Sequence, residues 1–151
     1  MRIRPATFED LDALVEGNQR LALETEARHL DANTLRAGVS AVLSHAEYGR
    51  YWVAQEHQAV CGQLMITFEW SDWRNRPLWW LQSVYVWPSA RRQGIFSALL
   101  AQVIAEAKQA GVPELRLYAE CHNTVAHQAY ARQGFTSGHY GVHCKILSEI
   151  N

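Results

Sequence analysis

The stretch that most constrains the fold of this 151-residue chain runs from Trp79 to Ala119. Trp79 to Val86 is rich in aromatic and β-branched residues, has strand character, and is closed by Pro88. After a polar loop, Phe96, Leu99, Leu100, Val103, Ile104 and Ala107 recur on one helical face, with Gly111 behind them as a stop. A second strand-like run spans Glu114 to Ala119. Strand, helix, strand is a crossover, so the two strands should lie parallel, with the helix covering one face of their sheet.

The remaining pattern builds outward from that unit. Arg2 to Arg4 reads as a short strand, and Thr7 with Asp10 resembles a capping box ahead of Phe8, Leu11, Leu14 and Val15 at helical spacing. A second helix follows Asp31, with Leu35, Val39, Val42 and Leu43 on one stripe and Gly49 past its end. Tyr51 to Ala54 and Val60 to Phe68 are strands, and Asn75, Arg76 and Pro77 place a hairpin around Ser71 to Leu78. A helix from about Thr124 to Arg132 and two weaker strands from Phe135 onward complete the order. The fold class is α/β, a mixed sheet with helices on its faces. At 48% hydrophobic residues the chain suits one domain, 1–151, able to bury about 68 to 70% of its unfolded surface.

Fourteen Lys and Arg against fifteen Asp and Glu leave a net charge of -1, which gives a nucleic acid no basic footprint. The N-terminus lacks the apolar core of a signal peptide. The longest apolar stretch, around Ile95 to Ala107, is broken by Ser97, Gln102 and Glu106, so no membrane partner is expected. Three cysteines, Cys61, Cys121 and Cys144, with no C-x-x-C spacing read as reduced thiols of a cytoplasmic protein. His139 and His143 have Gly141 between them in a strand context, and His122 and His127 are five apart, so no metal site is expected.

Arg91-Arg92-Gln93-Gly94-Ile95-Phe96-Ser97 joins a strand end to the first turn of a long helix. There, amides converge with the positive end of the helix dipole, a setting that holds a pyrophosphate, and Gly94 lets the backbone come close. The plainer reading is a glycine easing a loop into a helix beside solvated arginines. The three glycines of a dinucleotide fingerprint are absent. Val84-Tyr85-Val86-Trp87-Pro88, then Arg91-x-x-Gly94 and an amphipathic helix, instead resemble the acetyl-coenzyme A site of the GNAT superfamily of N-acetyltransferases. The resemblance continues in Asn123, Ala126 and Tyr130-Ala131-Arg132-Gln133-Gly134-Phe135. Its motifs cover about residues 79 to 135. Phe96 departs from the family's Gly or Ala at that position, and its side chain should turn into the core beside Leu99 and Leu100.

The resemblance implies acetyl-CoA as cosubstrate. Amides around Val84, Tyr85 and Val86 would hold the pantetheine arm and thioester, and Gln93, Gly94, Ile95, Phe96 and Ser97 the pyrophosphate, with Arg91 and Arg92 at the rim. Asn123 would bond the cofactor's arm and Tyr130 would face the sulfur. A phenol of reference pKa about 10 can protonate a thiolate of reference pKa about 8.5, which makes Tyr130 the candidate acid; its plain reading is a core aromatic. Many family members carry a carboxylate base on the strand equivalent to Trp79–Val86, but Leu81, Gln82 and Ser83 offer none. Glu69 and Glu120 are the candidates, or exposed carboxylates with no role. Opposite Trp79 or Trp80, Glu69 would sit about 10 Å from the Ser83 level, within reach of a water relay.

Five of the six tryptophans, Trp70, Trp73, Trp79, Trp80 and Trp87, fall within eighteen residues, with Glu69 just before them and Asp72 among them. Aromatic faces beside carboxylates suit a cationic amine, so Trp70, Asp72, Trp73 and Gln82 form the expected acceptor site, and Glu24 and Glu26, expected after the first helix, either line the same pocket or are surface glutamates with no role. Sheet capping or a subunit contact in a homodimer is the other use of these rings. The expected activity is N-acetyl transfer to a small primary amine by direct attack. A protein or peptide amine acceptor and a catalytically silent acyl-CoA sensor module are the alternatives.

Overall fold

The structure, a computed structural model, describes residues 1–149. They fall into two compact units, Met1–Tyr118 and a second from Ala119 onward. The first holds β1 (Arg2–Pro5), α1 (Leu11–Glu26), α2 (Ala32–Ser44), β2 (Arg50–Glu56), β3 (Ala59–Ser71), β4 (Arg76–Val86), α3 (Ile95–Gln109) and β5 (Leu115–Leu117). The five strands lie in chain order, antiparallel throughout except β4 and β5, which are parallel as the crossover requires.

Local chemistry sets these elements. The Asp10 carboxylate accepts the Thr7 amide at 2.8 Å and the two Arg4 guanidinium nitrogens at 2.7 and 2.8 Å, tying β1 to the turn that opens α1. Asp31 caps α2 by accepting the Thr34 amide at 2.9 Å. The β3–β4 hairpin turns between Ser71 and Arg76.

Successive strand residues point to opposite faces, and the pair Gly62 and Gln63 shows which helix lies where. Gln63 abuts Gly17 of α1, whereas a Cβ on Gly62 would come 2.7 Å from Ile95 of α3. On the first face Leu14, Val39, Tyr51 and Val53 form a buried cluster that Leu11, Val15, Leu35, Val42 and Leu43 surround. On the second, Ile95, Leu99, Leu100, Val103 and Ala107 are buried.

Four expectations are corrected. Ile95, not Phe96, leads the buried stripe of α3, because the i, i+4 row Ile95–Leu99–Val103–Ala107 faces the sheet; Phe96 and Ile104 are half-buried at its margins. Glu24 and Glu26 lie inside α1, not after it. β5 spans three residues, not the whole of Glu114 to Ala119, since only Leu115–Leu117 pair with β4. Beyond α4 (Thr124–Arg132) no strand forms among the described residues, where two were expected from Phe135 onward. Tyr140, Val142, Ile146 and Leu147 are exposed there, and apolar alternation makes a strand only where a neighbour takes its amides.

Candidate active site

β4 and β5 pair at Trp79 with Leu115, Trp80 with Arg116 and Leu81 with Leu117, and no further. β4 runs on to Val86, so the edge from Gln82 to Val86 continues past the end of its parallel neighbour. At that divergence the strand bulges. Gln63 opposes Tyr85 and Met65 opposes Gln82, so the single residue Leu64 faces both Ser83 and Val84. Ser83 takes a left-handed φ of 50°. A diverging strand edge offers its amides to an extended ligand, the role expected of Val84, Tyr85 and Val86.

The chain then enters α3 through a loop in which Arg92 (φ 62°) and Gly94 (φ 77°) are left-handed. A Cβ on Gly94 would meet nothing within 4 Å, so the face of this turn is open to a large ligand. First-turn amides of a helix, here those of Ile95, Phe96 and Ser97, point along its axis out of the N-terminus, where the dipole favours an anion. Gln93 braces the loop by donating to the Ser89 carbonyl at 3.2 Å.

Arg91 is placed differently from expectation. Its Nε donates to the Val86 carbonyl at 3.0 Å and its Nη2 to Glu24 at 2.6 Å, while its guanidinium lies 5.5 Å from the Tyr85 ring centre. The Tyr85 hydroxyl donates to the other Glu24 oxygen at 2.6 Å. Glu24 therefore clasps α1, β4 and the loop together. Partial burial raises its pKa, but the bonds from Tyr85 and Arg91 outweigh that and hold it below the usual carboxylate range. Burial, then Glu24, push the Tyr85 phenol up. Sequence reasoning did not anticipate this clasp, since Glu24 stands 61 residues from Tyr85 and 67 from Arg91 and shares no spacing signal with them.

The expected acceptor residues do not gather in one place. Gln82 sits at the divergence, half-buried, donating to Thr67 at 3.4 Å. Glu69 opposes Leu78, not Trp79 or Trp80, which puts it five residues from Ser83 along β4, about 17 Å, and its carboxylate pairs with Arg116 at 3.3 Å. Trp70 opposes Pro77 still farther along, and Asp72 and Trp73 lie in the hairpin turn. Trp73 is 93% exposed and Trp70 64%. Glu26 is the exposed last residue of α1. Trp80 lies closer to the divergence, its ring 4.5 Å from that of Tyr118 and 5.8 Å from the Arg116 guanidinium.

In the second unit, Asn123 caps α4, its side-chain oxygen accepting the Ala126 amide at 3.1 Å. The helix ends on Gly134 (φ 85°), with the Phe135 amide donating to the Tyr130 carbonyl and the Gly134 amide to that of Ala131. These paired bonds, with the Phe135 ring edge-on to Tyr130 at 5.9 Å, form a Schellman ending, so Tyr-x-x-x-Gly-Phe here is a helix stop that fixes the tyrosine. Burial raises the Tyr130 pKa. The Glu120 carboxylate accepts the His122 amide at 2.8 Å in the turn before α4.

The family model for acetyltransferases of the GNAT family matches residues 12–135. The chain belongs to the GNAT family. Among solved relatives of this GNAT chain, the crystal structure of a possible acetyltransferase from Clostridium difficile 630 is 36% identical, with a TM-score of 0.91 over 98% of each chain. Aminoglycoside N(6')-acetyltransferase type 1 of Acinetobacter haemolyticus is 28% identical over 137 residues, 89% of this chain and 90% of the relative. Aminoalkylphosphonate N-acetyltransferase of Salmonella typhimurium is 29% identical over 138 residues, 91% and 86% of the two.

Proposed function

We propose that this GNAT chain transfers the acetyl group of acetyl-CoA to the primary amine of a small molecule by direct attack. The observation that carries the reading is the bulged edge of β4 running past β5 at Leu81 and ending at an open, left-handed turn into α3. A pantetheine arm fits the edge from Val84 to Val86, and a diphosphate fits the turn from Gln93 to Ser97. Two relatives named as N-acetyltransferases of small amines support the acceptor class.

In the reaction the amine nitrogen bonds to the thioester carbon, and the carbonyl electrons move to oxygen, where β4 amides stabilise the negative charge. The carbon–sulfur bond then breaks as the carbonyl re-forms, and the departing thiolate takes a proton, the part that the family resemblance gives to Tyr130, which regains its proton from water. The ammonium proton leaves through water, because direct transfer to Glu69 over about 17 Å of strand is excluded. Glu120 is the other carboxylate that the sequence offers for this step. Gln82 at the divergence orients the acceptor. With three unpaired cysteines, the protein works in the reducing cytoplasm.

The test is a panel of small amines and basic peptides incubated with the protein and acetyl-CoA, read by free thiol. Thiol release that depends on a small amine is the expected result. Release with peptides alone would move the acceptor class to proteins. Binding of acetyl-CoA by calorimetry with no amine-dependent thiol would make the protein a silent sensor module.

A further inference from the structure

Only three polar or charged residues in the described chain are buried as deeply as the core, Asp10, Asn18 and Gln63. Asp10 has its partner in Arg4. The other two converge on one spot, the bulge of β4. Gln63 is 0% exposed; its Nε2 donates to the Ser83 carbonyl at 3.1 Å, and its Oε1 has no hydrogen-bond partner. Asn18 donates to the Tyr51 hydroxyl at 3.2 Å, and that hydroxyl interacts in turn with the Ser83 side chain.

A buried amide with an orphaned oxygen is unfavourable, and a methionine or leucine would fill the same volume without it. Ser83 is costly too. Of the non-glycine residues with left-handed φ, Ala27, His57, Gln58, Asn75 and Arg92 lie at a helix end, in turns or in a loop, and Ser83 alone lies inside a strand. Such strain persists only where the surroundings over-determine it. Gly17 completes the arrangement. A Cβ there would overlap Gln63 Oε1 and come 2.9 Å from the Trp87 ring, so α1 gives up a side chain at the point where the Gln63 amide lies.

We propose that Gln63 is a positioning residue for acetyl transfer, holding the Ser83 peptide so that the Val84 N–H is aimed at the reacting thioester. In a trans peptide the C=O of one residue and the N–H of the next point in opposite directions. Anchoring the Ser83 oxygen on Gln63, beneath α1, therefore turns the Val84 N–H away from Gln63. Gln63 touches no substrate itself and acts through the backbone of β4. The inference rests on the acetyl-transfer reading above, which makes the β4 edge the thioester site.

The variant Gln63→Met keeps the volume and removes both the donor and the orphaned oxygen. Its kcat should fall about ten- to a hundredfold, less than the loss of a whole oxyanion donor, with KM for acetyl-CoA within about threefold. Its Tm should stay within about 5 °C of wild type. Gly17→Ala, which crowds the glutamine from the helix side, should give the same split between kcat and KM. Amide resonances of Ser83, Val84 and Tyr85 should shift in both variants. A kcat within twofold of wild type in folded Gln63→Met, unmoved amide resonances, or a loss of activity that only tracks a falling Tm would each overturn the proposal. If wild type transfers acetyl to no amine, the acetyl-transfer reading fails, and the amide shifts still decide whether Gln63 sets the Val84 peptide.

Discussion

A phenol can act as an acid only while it keeps its proton, and burial holds Tyr130 above its ordinary value, protonated throughout the neutral range. Tyr130→Phe should therefore lower kcat by about 10²- to 10⁴-fold while leaving acetyl-CoA affinity nearly unchanged. Steady-state kinetics beside calorimetry checks this, and equal losses in both would assign the ring to binding. Gly94 carries the converse prediction. Its φ of 77° strains any side chain, and a carboxylate there would meet the diphosphate at the helix N-terminus. Gly94→Glu should weaken acetyl-CoA binding at least tenfold, about 1.4 kcal/mol, by calorimetry. Gly94 was legible in the sequence because glycine announces a left-handed turn. Ser83 adopts the same region, but serine gives no such signal, and Gln63, which holds it, looks in sequence like any polar residue in a strand.

At the level of elements, legibility followed the range of the forces involved. The crossover from β4 through α3 to β5 follows from local periodicity, and Asp31 marks the start of α2 through a bond only three residues long. The register of β3 on β4 runs unbroken from the hairpin pair Ser71–Arg76 to Met65–Gln82, so Glu69 arrived opposite Leu78 and the tryptophans at the hairpin end stood clear of the divergence. The strands expected after Phe135 failed for the same reason: alternation specifies which face is apolar but not which strand is the neighbour. The β2–β3 turn shows the opposite mismatch. His57 and Gln58 both hold positive φ, 46° and 66°, a geometry for which an asparagine followed by a glycine is far better suited. The double substitution His57→Asn with Gln58→Gly relieves two strained residues, so stability by urea unfolding should rise about 1–2 kcal/mol. Both residues precede the part of β3 that pairs with β4, which begins at Gly62, and kcat should be unchanged. A loss of stability would mean that the His57 or Gln58 side chain itself holds the turn.

For the molecule as a whole, the titrating groups bound the pH range in which the fold is stable. Asp10, Glu24 and Glu114 are all held below the ordinary carboxylate range; burial pushes Asp10 and Glu24 the other way and is outweighed by Arg4 and the Thr7 amide for Asp10 and by Tyr85 and Arg91 for Glu24, whereas for Glu114 the Arg116 bond leads. A depressed carboxylate adds stability that is complete above its unfolded value, about 4, and disappears as pH falls through the folded value below it. Tyr51, Tyr85, Tyr130 and Cys61 are raised, chiefly by burial, so their contribution is complete below about pH 8.5 and is lost as pH climbs through their folded values. Tm should thus be flat from about pH 5 to 8 and fall on both sides. The acid side should belong mainly to Asp10, whose side chain is only 5% exposed beside Arg4 at 19%, while the Glu24–Arg91 pair stands near 40% on both sides and is screened. Asp10→Asn should then cost about 2–3 kcal/mol at pH 7, from the lost charged bonds to Arg4 and the Thr7 amide, and flatten the fall below pH 4. Tm measured from pH 3 to 11 on both proteins separates the outcomes, since an acid slope as steep in the variant as in wild type would place the controlling carboxylate elsewhere.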